Sequence, residues 1–153
     1  MKISFAYYYP EAEYGIISVE SKNPLNAYTK LYEILRDILE IKRSMFVDRD
    51  IRFDTTDNSF FIRCEATKKF GGYLPTLFLE FIISGSLPKN EKGKVEIKYR
   101  AKLSFEIEER GVLREIFLYV YYSFWLKKRI EEYKKITKNI VEEIKKKLIE
   151  VLS

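Results

Sequence analysis

The segment VDRDIRFD, residues 47–54, is where this chain concentrates ligand-type oxygens. On a regular strand Asp48, Asp50 and Asp54 share one face, and three carboxylates on one face could hold a hard cation. Arg49 and Arg52 interleave with them and offset their charge, so edge solvation and ion pairing is the preferred reading and no metal site is assigned. Histidine is absent, which removes a Ser-His-Asp triad, a Cys-His pair and any histidine metal site. The one cysteine, Cys64, sits mid-strand on an apolar face, where burial raises a thiol's pKa and suppresses its reactivity. Glycine-rich phosphate loops and the nucleophile elbow are missing, and Gly71-Gly72 reads as a strand connector. No residue is assigned a catalytic role, no cofactor is implied, and the chain reads as a non-enzyme.

Tyrosine is the one polar-tipped residue in excess, at twelve. Tyr99, Tyr122 and Tyr133 are placed to face a sheet–helix space, where each hydroxyl needs a backbone carbonyl or a ligand. Tyr7, Tyr8 and Tyr9 form an aromatic run on an edge strand. Base stacking on such a run comes with basic residues on the same sheet face. Glu11 and Glu13 follow it instead, which argues against nucleic acid there.

The elements that must position these residues show as periodicities. Lys94–Ile107 alternates without a break: Val95, Ile97, Tyr99, Ala101, Leu103, Phe105 and Ile107 on one face, charged or polar residues on the other. Lys2–Tyr9 and Tyr14–Ser21 read as two short strands around a turn. Asn23-Pro24 opens a helix carrying Leu25, Tyr28, Leu31, Leu35, Ile38 and Leu39, ending near Arg43. Asp50–Thr56 and Ser59–Lys68 bracket an Asp57-Asn58 turn, and Leu77–Ile83 forms a further strand. Ser84–Gly93 is the longest loop.

After Gly111 the spacing predicts a second long strand, Ile116–Phe124, folded back on the first. A two-residue Arg110-Gly111 loop pairs Tyr99 with Tyr122 and Leu103 with Leu118. A three-residue loop would bury Glu115 beside Phe105, at a cost of several kcal/mol, so the two-residue loop is preferred. In that register Phe117, Tyr119 and Tyr121 stand outward as an aromatic stripe, the expected interface of a homodimer. A final helix carries Leu126, Ile130, Tyr133, Ile136, Ile140, Ile144, Leu148 and Leu152 at steps of three and four.

Composition bounds the rest. The 153 residues, 46% hydrophobic and 16% aromatic, suffice for one α+β domain with a real core. The longest apolar stretch, Ile116–Leu126, is too short to cross a membrane, and MKISFAYYYPEAEYG lacks a signal-peptide cleavage site. A lone cysteine fits a reducing, cytoplasmic setting. Lysine, glutamate and isoleucine are abundant and glutamine is absent, the pattern of proteins from hot environments. Net charge is +5, of which Leu126–Ser153 contributes +4 from nine basic and five acidic residues. A polyanion could use that face, but a solvated helix laced with Glu/Lys pairs is the preferred account, and nucleic acid is not expected as a partner.

The order strand, helix, antiparallel strands and long closing helix resembles the START-like, helix-grip superfamily. YGIISVESKNPLNAYTKLYEIL (Tyr14–Leu35) is similar to that family's opening strand and first helix, and IVEEIKKKLIEVL (Ile140–Leu152) to its closing helix. The extra strand Lys2–Tyr9 departs from the pattern. The resemblance implies a curved antiparallel sheet wrapped around the closing helix, with a cavity between them for an apolar or amphipathic small molecule. It would be lined by Tyr99, Leu103, Phe105, Leu118, Tyr122, Tyr133, Ile140 and Ile144. The competing reading is an assembly module with a filled core, acting through the aromatic stripe; a cavity of several hundred Å³ would separate the two.

Overall fold

The computed structural model describes residues 1–11, 13–87 and 91–153. Residues 2–108 supply six antiparallel strands and two short helices: β1 (Lys2–Tyr9), β2 (Gly15–Ser21), α1 (Asn26–Thr29), α2 (Leu31–Leu39), β3 (Phe46–Asp54), β4 (Ser59–Lys69), β5 (Thr76–Ser86) and β6 (Gly93–Glu108). The chain closes with α3 (Val112–Tyr121), a π-turn (Tyr122–Leu126) and α4 (Lys127–Leu152), which run without interruption for about 60 Å at 1.5 Å per residue. The fold is α+β, a six-stranded antiparallel sheet packed against a long C-terminal helix, as expected.

Sheet order is β1-β6-β5-β4-β3, with β2 also on β6. β1 and β2 are not a hairpin. Both run antiparallel to β6 along the same edge, β1 ending at Tyr9↔Ala101 and β2 resuming at Gly15↔Tyr99. They are one strand line interrupted between Tyr9 and Gly15, and β6 is long enough to carry both.

Alternation sorts the two faces. Ile62, Cys64 and Ala66 of β4, Leu77, Leu79, Phe81 and Ile83 of β5, and Val95 through Leu103 at every second position of β6 are buried on the helix side. Each large apolar side chain among them contributes about 1.5–3 kcal/mol by leaving water. Leu31, Ile34, Leu35 and Leu39 of α2 and Val141, Ile144, Leu148 and Leu152 of α4 close the same core. α2 stops at Glu40, which turns left-handed at φ 55°. Asn23-Pro24 forms the turn leading into α1, with Asn26 N donating to Asn23 O at 3.0 Å, and its side chain does not cap. The Ser84–Gly93 loop is shorter than expected, since β5 continues to Ser86; residues 88–90 lie outside the described residues.

The largest departure from expectation is residues 112–126, which are helix and not strand. Tyr99 pairs with Gly15 and Phe81, and Leu103 with Tyr7 and Leu77, so neither Tyr122 nor Leu118 is a ladder partner. Both edges of β6 are already taken, by β1 and β2 on one side and β5 on the other, and no hydrogen-bonding edge remains for a returning strand. Gly111 (φ 101°) is the corner between strand and helix and not a hairpin loop.

Candidate functional site

The expected cavity lining divides between two clusters. Tyr99, Leu103 and Ile144 lie in the main core with Tyr133 and Ile140 packed against it, whereas Phe105 belongs to a second cluster with Leu126, Ile130 and the half-buried Tyr122. Leu118 lies on α3 and is its one fully buried side chain. The space between sheet and closing helix, bounded by Ile17, Phe81, Tyr99, Val141, Ile144 and Leu148, holds about 10 Å³. That is about one water's worth, against the roughly 300–1,000 Å³ of a small-molecule site. The Tyr99 ring fills part of it: it lies over Gly15, where an added Cβ would come within 2.2 Å of the ring.

On β3 a bulge separates the first two aspartates. The register shifts between Asp48 and Asp50, so Asp48 stands opposite Cys64 while Asp50 stands opposite Arg63 on the other face. Asp50 pairs with Arg52 at 2.7 Å, and Asp54 accepts from Thr56 N at 2.9 Å. Among the described residues no group of three or more potential metal ligands converges. Burial, with the nearby Asp48 and Glu65 carboxylates, pushes the Cys64 thiol up to about 12. Burial and the Asp48 carboxylate likewise push the Tyr28 hydroxyl up to about 12.

On α4 the buried stripe is Ile130, Thr137, Val141, Ile144, Leu148 and Leu152. Ile136 is exposed, so the stripe turns through Thr137 and Val141 where Ile136 and Ile140 were expected to carry it. Thr137 satisfies its hydroxyl by donating to Tyr133 O at 2.8 Å. The opposite face carries pairs such as Arg129–Glu132, Lys134–Glu131 and Lys147–Glu150, a solvated helix surface.

The uncovered apolar surface lies on α3 and the π-turn. Val112, Ile116, Val120 and Phe124 follow at steps of four, with Leu113 and Phe117 as a parallel ridge and Tyr119 and Trp125 at the margins. All eight are between 43% and 83% exposed. Ser123 is the one polar residue on this face, and Arg110, Arg114, Lys127 and Lys128 flank it. The opposite side of the helix is seated. Tyr121 and Tyr122 pack on the second cluster, and Tyr73 reaches the Tyr121 ring at 5.4 Å while donating its hydroxyl to Glu109 at 3.0 Å. Of the expected stripe, Phe117 and Tyr119 are outward, but on a helix, and Tyr121 is half-buried. The neighbours that complete the face, Val112, Leu113, Ile116, Val120, Phe124 and Trp125, were missed; the four-residue spacing of Leu118, Tyr122, Leu126 and Ile130 was the available signal that the segment is helical. Among the described residues no helix is long and apolar enough to cross a membrane.

No family model matches this chain, and no curated protein, enzyme or otherwise, matches it. Among solved structures, that of an uncharacterized protein from Rhizobium leguminosarum is similar over 98% of this chain and 99% of its own, at 7% identity and a TM-score of 0.26.

Proposed function

We propose that this protein is a non-enzymatic assembly module of the cytoplasm that associates with a second copy of itself through the outward face of α3. The observation that carries this reading is the eight-residue apolar face on a helix whose other side is already packed. Large apolar side chains present about 150–250 Å² each when free, so the exposed fractions amount to on the order of 1,000 Å² on one copy. A standard interface takes about 800 Å² per partner, so the face is large enough for a stable dimer. A two-fold contact lets one apolar ridge pack on its own equivalent, while the flanking Arg110, Arg114, Lys127 and Lys128 stay in the wet rim. The strand order and closing helix support the START-like resemblance, but a space of about 10 Å³ gives the small-molecule reading no support.

Light scattering tests this directly. The wild type is expected at twice 18.3 kDa, and the double variant Leu113→Lys/Phe124→Ser at 18.3 kDa with an unchanged circular dichroism spectrum. A wild type that stays monomeric at high micromolar concentration overturns the reading, and so does a folded double variant that remains dimeric.

A further inference from the structure

We infer that the open face of the sheet, opposite the helices, carries a binding site for a small organic anion: an oxyanion joined to a planar or apolar body, held by Arg100 and Lys102 between the rings of Tyr8, Tyr14 and Phe78. The register builds it. Tyr8 and Phe78 are the direct partners of Lys102 on either side, so three outward side chains stand abreast across β1, β6 and β5. Arg100 is the next outward position of β6, and Tyr14 reaches over from the start of β2 to donate its hydroxyl to Glu80. Between them lies a cleft of about 330 Å³, at the lower end of the roughly 300–1,000 Å³ of small-ligand sites.

The two cations are held as an anion site requires. The Arg100 guanidinium lies 4.3 Å from the Tyr8 ring centroid and 5.9 Å from that of Tyr14, and the Lys102 ammonium lies 5.8 Å from the Tyr8 ring. Rings hold a guanidinium in orientation but leave its in-plane donors free. Among the described residues neither Arg100 nor Lys102 has a carboxylate within ion-pair distance, and Arg100 Nε is buried without an acceptor. That contrasts with their neighbours on the same face: Arg63 pairs with Glu80 at 2.7 Å, Lys2 with Glu106 at 2.9 Å and Lys98 with Glu96 at 3.9 Å. Two carboxylates also line the cleft: Glu80, the cross-strand partner of Arg100, pairs with Arg63 and accepts from Tyr14, and Glu65 pairs with Arg49 at 2.9 Å, so each has a partner other than Arg100 and Lys102. Phe78, 42% exposed beside Lys102, supplies the apolar contact that a bare inorganic ion would not use. The ligand's donors are the terminal guanidinium nitrogens of Arg100 and the Lys102 ammonium, since Nε itself is closed to solvent, and an oxyanion is the acceptor with which such charged donors form their strongest hydrogen bonds.

The site shares no residue with the α3 face, so its test is independent of the dimer. Phenyl phosphate and benzoate, titrated into the ¹⁵N-labelled full chain, are expected to shift the Tyr8, Tyr14, Phe78, Arg100 and Lys102 resonances saturably; the tighter of the two identifies a phosphate or a carboxylate as the headgroup. Arg100→Met and Lys102→Met, each keeping an apolar stem against Tyr8, should each weaken binding about tenfold. Lys102→Met alone decides the matter should Arg100→Met fail to fold. Three results overturn the inference: no saturable shift with either probe, affinities unchanged in the folded variants, or inorganic phosphate binding as tightly as phenyl phosphate.

Discussion

At the scale of single residues the chain holds several groups whose environment fixes their behaviour. Cys64 faces the core opposite Phe81 and is fully buried, and its thiol is held near 12, so at pH 8 it is neither ionised nor reachable. A thiol reagent should leave it unlabelled under native conditions and label it fully in denaturant; rapid native labelling would place it at the surface. Tyr9 donates to Glu142 at 2.7 Å, tying β1 to α4, and that hydrogen bond together with burial raises its hydroxyl to about 12. Tyr28 is raised to about 12 as well. Both are raised above the ordinary tyrosine value near 10, so the folded state holds these protons more tightly than the unfolded chain. Their stabilisation is complete below about pH 10 and is lost as pH rises toward 12. Urea midpoints measured from pH 9 upward should therefore fall less steeply in the Tyr9→Phe/Tyr28→Phe variant than in wild type. Gly85 is constrained by space, since a Cβ there would stand 2.3 Å from the Lys94 carbonyl oxygen. Gly85→Ala should destabilise by about 1–3 kcal/mol in equilibrium unfolding, because one backbone must move off the other. Nothing in the sequence marks Gly85 for this; the close approach exists only once β5 and β6 are paired.

Among the elements, legibility follows how many periods a segment can satisfy. β6 alternates apolar and polar residues, and β4 and β5 keep an apolar residue at every second position with Phe61, Phe78 and Ile82 out of phase; their phases are those of the buried positions. Residues 112–126 are apolar at nearly every position, so a period of two and a period of 3.6 both fit. What decides between them is tertiary: β6 has no edge left. The bulge at Asp48/Asp50 is also invisible to alternation counting, because inserting one residue inverts the face of all that follow. On α4 the ambiguity is smaller, since Ile136 and Thr137 are adjacent and a threonine in the core is outvoted by the apolar pattern around it. The two faces make a sharp contrast. Ile144→Ala should cost about 2–5 kcal/mol, whereas Ile136→Ala, at an exposed position, should stay within about 0.5 kcal/mol. Equal effects in urea titrations would mean that α4 is rotated about its axis from the orientation described.

Considered as a whole, the molecule gives each of its faces a different chemical character. The core side of the sheet is filled, the open side mixes cations with aromatic rings, and the apolar excess is carried past the sheet on α3. Aromatic exposure was legible at Phe117 and Tyr119 even though the segment is helix and not strand, because a run too rich in apolar residues for one sheet face leaves some of them outside whatever its conformation. The open-face cleft was not legible, because Tyr8, Arg100, Lys102 and Phe78 come from three strands and meet only through the register. The separation also predicts how assembly responds to salt. The net charge of +5 lies mostly on the C-terminal helix, beside the apolar face and not within it. An interface held by that charge would weaken as ionic strength rises from about 0.1 M to about 1 M, where the screening length falls from about 10 Å to about 3 Å. An interface held by the α3 ridge buries apolar area, and should hold or tighten, most clearly in sulfate, which is excluded from protein surfaces. Lowering the salt should likewise raise the repulsion between the two basic flanks and loosen the pair. Dimer dissociation constants from sedimentation equilibrium should therefore stay level or fall with added salt. A constant that rises steeply with sodium chloride would show that ion pairs and not the Leu113–Phe124 ridge hold the copies together.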